Sequence, residues 1–184
     1  MHKVFISGSM KIKNLDGNVL DRINNIINSN YQVIVGDANG VDSSIQKYLI
    51  SKETRSVHVY CSGSRPRNNI GHWHTEMIET NAPPGTRAFF TAKDLKMAED
   101  CDYGLMVWDT KSTGTLSNAI ELLKRKKISL VYINKAKEFL KIKEIPDLEK
   151  LISYMSDTAF KEADKKLKLS ERIENFKHQQ DSLF

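Results

Sequence analysis

Short apolar runs rich in β-branched residues, alternating with amphipathic stretches, constrain this chain more than any other feature of its sequence. Val4-Phe5-Ile6, inside a run over residues 3–7, reads as a first strand. A helix over residues 19–28 follows, with Val19, Leu20, Ile23, Ile26 and Ile27 on one face at helical spacing. Residues 31–35 read as a second strand, 41–50 as a short helix and 56–60 as a third strand. After an interruption, a helix over 92–100 precedes a fourth strand at 103–108, and a helix over 115–126 precedes a fifth at 128–133. The second, fourth and fifth runs are almost continuously apolar. Strands of that kind are covered on both faces, which calls for a parallel sheet between two layers of helix.

The expected fold class is therefore α/β: a Rossmann-like, doubly wound parallel sheet of about five strands over residues 1–133, with a C-terminal helical extension over 134–184. A chain of 184 residues has room for one such domain and not for two ordinary ones. Within the extension, 139–145 reads as an edge strand, and Pro146-Asp147 opens a helix through 155. Residues 158–180 read as one long charged helix. Phe160, Ala163, Leu167, Ile173 and Phe176 give it a narrow apolar stripe, suited to packing on the domain or to serving as a dimerisation arm.

The interruption at 61–91 carries Gly63, Pro66, Gly71, Pro83, Pro84 and Gly85, which punctuate any regular structure. A stretch of that length in a small domain reads as a lid over the site, with a disordered segment as the alternative. Arg65 and Arg67 in it are placed to clamp a phosphate bidentately, and Trp73 to stack on a base. His72-Trp73-His74 with Glu76 is too common a pattern to imply a metal, and neither a metal nor a cofactor is expected. Cys61 and Cys101 belong to no CxxC pair and read as buried free thiols.

No window approaches the roughly 18 apolar residues of a membrane span. The N-terminus MHKVFISGSM lacks the apolar stretch of a secretory signal, so a cytoplasmic protein with no membrane partner is expected. The net charge of +5 is spread without a long basic tract. The densest run, Lys124-Arg125-Lys126-Lys127, reads as a solvated helix end complementing the helix dipole. The rival reading is a nucleic-acid patch.

In a doubly wound sheet, ligands bind beyond the carboxyl ends of the strands, where the strand order reverses. Three glycine-bearing loops fall there: Ser7-Gly8-Ser9-Met10, the segment from Gly36 to Asp42, and the segment from Asp109 to Thr115. Glycine lets backbone amides approach a phosphate, and a helix N-terminus favours its charge. Ser112, Thr113, Gly114 and Thr115 bring hydroxyls and amides to one spot, with Lys111 as a counter-charge. The plain alternative is a capped helix start. Asp109 closes the fourth strand and is well placed to meet a ligand.

The turn SGS, the loop GDANGVD, the segment KDLKMAEDCDYGLMVWD and the helix opening STGTLSNAIEL occur in the order and spacing of the SLOG superfamily. The chain resembles that group over roughly residues 3–133, most of all its small bacterial branch with a GGARGAD loop. The superfamily includes LOG-type nucleotide phosphoribohydrolases, the DNA-processing protein A fold and nucleotide-sensing domains of bacterial defence systems. The resemblance implies ligand binding by Gly8, Ser9, Met10, Gly114 and Thr115 and by Gly36, Asp37, Asn39, Gly40 and Asp42. Asp42 either anchors a ribose hydroxyl or caps its helix.

Hydrolytic relatives use an arginine before the fourth strand and a glutamate in PGGxGTxxE. Here Lys93 stands at the arginine position, Asn118 at the glutamate position, and Lys111-Ser112-Thr113 replaces PGG. Asparagine is neither base nor anion. Glu121, one helical turn further on, is the nearest substitute and otherwise an ordinary surface glutamate. Candidate catalytic residues are thus Glu121, Asp109 and Lys93, with Asn118, Arg65 and Arg67 among the ligand contacts. The leading expectation is a sensor or regulatory protein that binds a nucleotide or nucleotide-derived molecule and forms a homo-oligomer. The alternatives are a nucleotide N-glycosidase, phosphoribohydrolase or related transferase, and a single-stranded DNA-binding module.

Overall fold

The computed structural model describes residues 1–181. Each apolar run forms a strand: β1 (Lys3–Gly8), β2 (Gln32–Gly36), β3 (Val57–Ser62), β5 (Tyr103–Trp108) and β6 (Ser129–Ile133). Two further strands, β4 (His74–Ile78) and β7 (Glu138–Ile142), complete one sheet in the order β4-β3-β2-β1-β5-β6-β7. The pairings are parallel from β4 to β6, and β7 runs antiparallel to β6. The helices are α1 (Gly17–Asn28), α2 (Val41–Ser51), α3 (Arg87–Asp100), α4 (Thr113–Lys124), α5 (Ile145–Ile152), α6 (Asp157–Leu167) and α7 (Leu169–Asp181).

Because side chains alternate across a strand, the sheet builds two cores. Val4, Ile6, Val33, Val35, Val57 and Val59 face α1 and α2, where Val19, Ile23, Val41, Ile45 and Leu49 meet them. Phe5, Ile34, Tyr60, Met106, Trp108 and Val131 face the other way, onto Met97 of α3 and Leu116, Ala119 and Ile120 of α4. From β1 the chain builds outward to β4, then returns through α3 to place β5 on the opposite side of β1. The order therefore reverses between β1 and β5, and that gap opens at their carboxyl ends.

Three expectations are corrected here. The sheet has seven strands: the five expected, the edge strand β7 expected in the extension, and an unexpected β4 inside the supposed interruption. The segment His74–Ile78 is half-exposed and polar, since an edge strand paired only with β3 has little to bury. The same interruption ends in α3, which begins at Arg87 with Thr86 as its N-cap, so only the parts around β4 are irregular.

Residues 158–180 are not one helix. Lys168 sits at φ +54, ψ +50 and separates α6 from α7. The break lets Ala159, Ala163, Leu167 and Leu169 enter the core beneath α3–α5, with Phe160, Ile173 and Phe176 packed against it. The extension thus shares a core with the sheet, and residues 182–184 lie outside the described residues. A left-handed residue with a Cβ is strained where glycine is not. Lys168→Gly is expected to raise stability by about 0.5–1 kcal/mol, net of glycine's greater unfolded-state entropy, measurable by urea denaturation.

No helix among the described residues is long and apolar enough to cross a membrane. Cys61 and Cys101 are buried and unpaired, and burial raises both thiols, Cys101 to about 11.

Candidate functional site

A cleft of about 730 Å³ opens at the β1/β5 switch point. The loop after β5 forms one wall and is fixed from several sides. The Trp108 indole N–H donates to the Ser112 carbonyl at 3.0 Å, and Asp109 Oδ1 accepts the amides of Lys111 and Ser112 at 2.9 and 2.6 Å. Ser9 Oγ accepts the Asp109 amide at 3.1 Å and so ties the β1 turn to this loop. Thr110 is held at φ +66, a backbone strain that a β-branched residue shows only where its surroundings enforce it.

At the start of α4, Ser112 Oγ caps the amide of Thr115. The first turn of a helix has no internal acceptors for its amides. Those of Thr113 and Gly114, both lining the cleft, are therefore left for a ligand. Around them stand Lys11, Arg87, Lys111 and Lys166, none of which forms an ion pair among the described residues. Lys166 and Glu162 come from α6, so the C-terminal extension supplies a wall that the motifs do not announce.

The opposite side of the cleft holds a buried charge cluster. Lys93, 4% exposed, donates from Nζ to Asp94 Oδ1 at 2.7 Å. A Cβ at position 36 would lie 2.4 Å from Asp42 Oδ2 and 2.7 Å from Lys93 Nζ, so Gly36 is what makes room for both. Burial opposes the charge on Lys93, yet Asp94 and Asp42 outweigh it and hold the ammonium above its ordinary range. Burial pushes the Asp42 carboxyl up to about 6 against the pull of Lys93. Asp42 Oδ2 accepts the Ala38 amide at 3.3 Å, while buried Oδ1 has no partner. Gly40 is the N-cap of α2, so Asp42 is not a helix cap.

Several sequence candidates have other tasks. Arg67 grips Asp37 through Nε, Nη2 and its own amide at 3.1, 2.7 and 2.9 Å, and stacks 4.3 Å from the Phe90 ring centroid. Burial favours the neutral form of Asp37, but those Arg67 bonds prevail and keep it below the usual carboxylate range. Arg67 thus lines the cleft with its charge already matched. Asn39 accepts from Asn68 within the same loop contacts.

Gly8, Met10, Asp42, Lys93 and Asp109 line the cleft together with Lys111 through Thr115 and Asn118. Ser9, Gly36, Asp37 and Gly40 are buried outside that lining, and Asn39 and Arg65 are exposed residues that do not belong to it. Glu121 lies outside the cleft as well, paired with Arg125, the C-cap of its helix. Trp73 points elsewhere, donating from Nε1 to the Thr54 carbonyl at 2.9 Å. Asn118 is buried with its amide 3.5 Å from Ser7 Oγ, a long contact.

Among the described residues no group of three or more His, Cys, Asp or Glu is arranged to hold a metal ion. The Lys127 ammonium donates to the carbonyls of Ala98 and Glu99 in the last turn of α3, not to the end of the preceding helix α4. No protein-family model matches the chain, and no curated protein sequence matches it.

Proposed function

We propose that this protein binds a phosphorylated ligand of the nucleotide class in the β1/β5 cleft, as a sensor or regulatory protein that holds the ligand without cutting it. The observation that carries the reading is the start of α4: two uncommitted amides facing a cleft among four cationic side chains without ion-pair partners. A helix N-terminus so equipped favours a phosphate through both its amides and its dipole. The fixed loop behind it lowers the ordering cost of binding. A volume of about 730 Å³ accommodates a mononucleotide-sized molecule, and exposed Met10 offers apolar surface for a base. The likeness in motif order to SLOG proteins points the same way.

Binding without hydrolysis rests on the positions at which the sequence offers a catalytic carboxylate. Asn118 stands where a hydrolytic relative has its glutamate, Glu121 is tied to Arg125 outside the cleft, and Asp109 Oδ1 is spent on two backbone amides.

Thermal-shift screening of a nucleotide panel tests the proposal. A bound member at 100 times its dissociation constant adds about 2.7 kcal/mol, which raises the Tm of a chain this size by roughly 5–10 °C. Incubation with the stabilising nucleotide is expected to release no free base. A flat response across the panel would remove the binding reading, and base release would turn the protein into an enzyme.

A further inference from the structure

The geometry points to Asp42 as the residue that selects the ligand: its Oδ1 accepts a sugar hydroxyl from a molecule whose phosphate sits at the start of α4. The cleft therefore takes phosphorylated sugars and their nucleotides in preference to other phosphate monoesters. This inference rests on the phosphate reading above and adds the class of group attached to it.

Asp42 is 2% exposed and lines the cleft, yet only one of its two carboxylate oxygens is satisfied. A buried acceptor without a donor is costly, and an ionised carboxylate accepts only. None of the protein's own donors nearby reaches Oδ1. Lys93 Nζ on α3 bonds Asp94, Arg67 on the β3–β4 connection bonds Asp37, and the Ala38 amide reaches only Oδ2. What remains for Oδ1 is a donor arriving with the ligand.

Folds of this class commonly hold a ribose hydroxyl with an acidic residue just after the second strand. Asp37 occupies that place here, but Arg67 consumes both its oxygens, and Asp42 is the acidic residue of the same loop that lines the cleft. Asp42 and the α4 amides belong to different loops of the same cleft, so one ligand must span them. A sugar phosphate has an anion at one end and hydroxyl donors at the other.

The groups that face Asp42 are Asp37 and the Ala38 amide from its own loop, Lys93 and Asp94 from α3, and Arg67. Among them Asp42 is the group whose proton is exchanged near neutrality. A donor hydroxyl favours the carboxylate form, so binding releases a proton from Asp42 when the pH is near or below 6. Affinity for a hydroxyl-bearing ligand accordingly rises with pH through about 6 and levels off above it.

Calorimetry with ribose 5-phosphate and butyl phosphate on the full chain, at about pH 7.5 and about pH 5.5, tests this. The readout is the ratio of the two affinities, because titration of the phosphate itself near 6 is common to both. At the higher pH ribose 5-phosphate is expected to bind at least about tenfold tighter, and the ratio to shrink severalfold at the lower pH. Asp42→Asn, which keeps an acceptor for Ala38, is expected to remove most of the preference and its pH dependence, so that the two phosphates bind about equally at both pH values. Equal binding of the two phosphates, or a preference unchanged by pH in the native chain, would overturn the role of Asp42 and leave the phosphate site standing. Failure of both monoesters and of inorganic phosphate to bind would overturn the phosphate site and this inference with it.

Discussion

Replacing Lys93 by methionine is expected to destabilise the fold by about 3–5 kcal/mol near pH 8, and by less than half as much near pH 5. Methionine keeps the length and most of the volume of the lysine stem, so packing changes little. What goes is the cation between Asp94 and Asp42. Arg67 cannot substitute, since its guanidinium is bound bidentately to Asp37. A buried carboxylate, Asp42, and a partly buried one, Asp94, then remain with no matching charge. Asp42 already titrates at about 6 with Lys93 present, and without it the carboxyl moves higher. A carboxylate whose pKa is raised on folding holds an extra proton in the folded chain. Its contribution to stability is therefore largest below its unfolded value and is lost as pH rises through the folded one. Protonation at the lower pH relieves most of the repulsion that the substitution creates. Urea denaturation at the two pH values measures the difference. An equal loss at both would show that Lys93 matters for packing alone.

That cluster also shows where the sequence stops being readable. The strands that matter for the site, β1, β2 and β5, carry β-branched apolar runs whose double burial forces a covered parallel sheet, and the glycine loops must then meet at one edge. Lys93 sends no such signal. It sits on a helix of weak amphipathic pattern, and its burial follows from α3 crossing back over the sheet to reach β5, a contact between segments some fifty residues apart in the chain. Arg67 was legible as a phosphate clamp by residue type only; its partner Asp37 is thirty positions away, and the spatial pairing decides its role. The edge strand β4 lacks an apolar pattern because one neighbour and an open edge leave it little to bury. The αL break at Lys168 is a case of tertiary packing overriding local preference, for neither glycine nor proline marks it. Glu162 and Lys166, on the helix before that break, line the cleft through tertiary packing that no local motif announces.

The glycines of the two ligand loops predict opposite outcomes for the same substitution. Gly40 lies at φ +78, ψ −124, a conformation that residues with a Cβ avoid. A Cβ built there would stand 2.2 Å from the Met10 carbonyl oxygen, a backbone atom that cannot rotate aside. The Met10 and Gly40 loops are further joined by the Val41 amide donating to the Ser9 carbonyl at 3.3 Å. Gly40→Ala is thus expected to lower stability by about 3–5 kcal/mol, backbone strain and overpacking together. It should also displace Asp42, two residues on, and with it the hydroxyl contact. Gly114 is helical, and a Cβ there meets nothing within 4 Å. Gly114→Ala is expected to leave stability unchanged or raise it by up to about 1 kcal/mol, alanine being the better helix former. The added methyl projects into the open space that the phosphate is proposed to use, so affinity for a phosphate monoester should fall. Thermal denaturation of both variants, with and without the stabilising nucleotide, separates the two effects. A Gly114→Ala protein that keeps the full ligand-induced shift would place the phosphate elsewhere in the cleft. A Gly40→Ala protein as stable as the native chain would mean that the Met10 turn can move away from α2, and the two loops would not form the rigid wall on which the site depends.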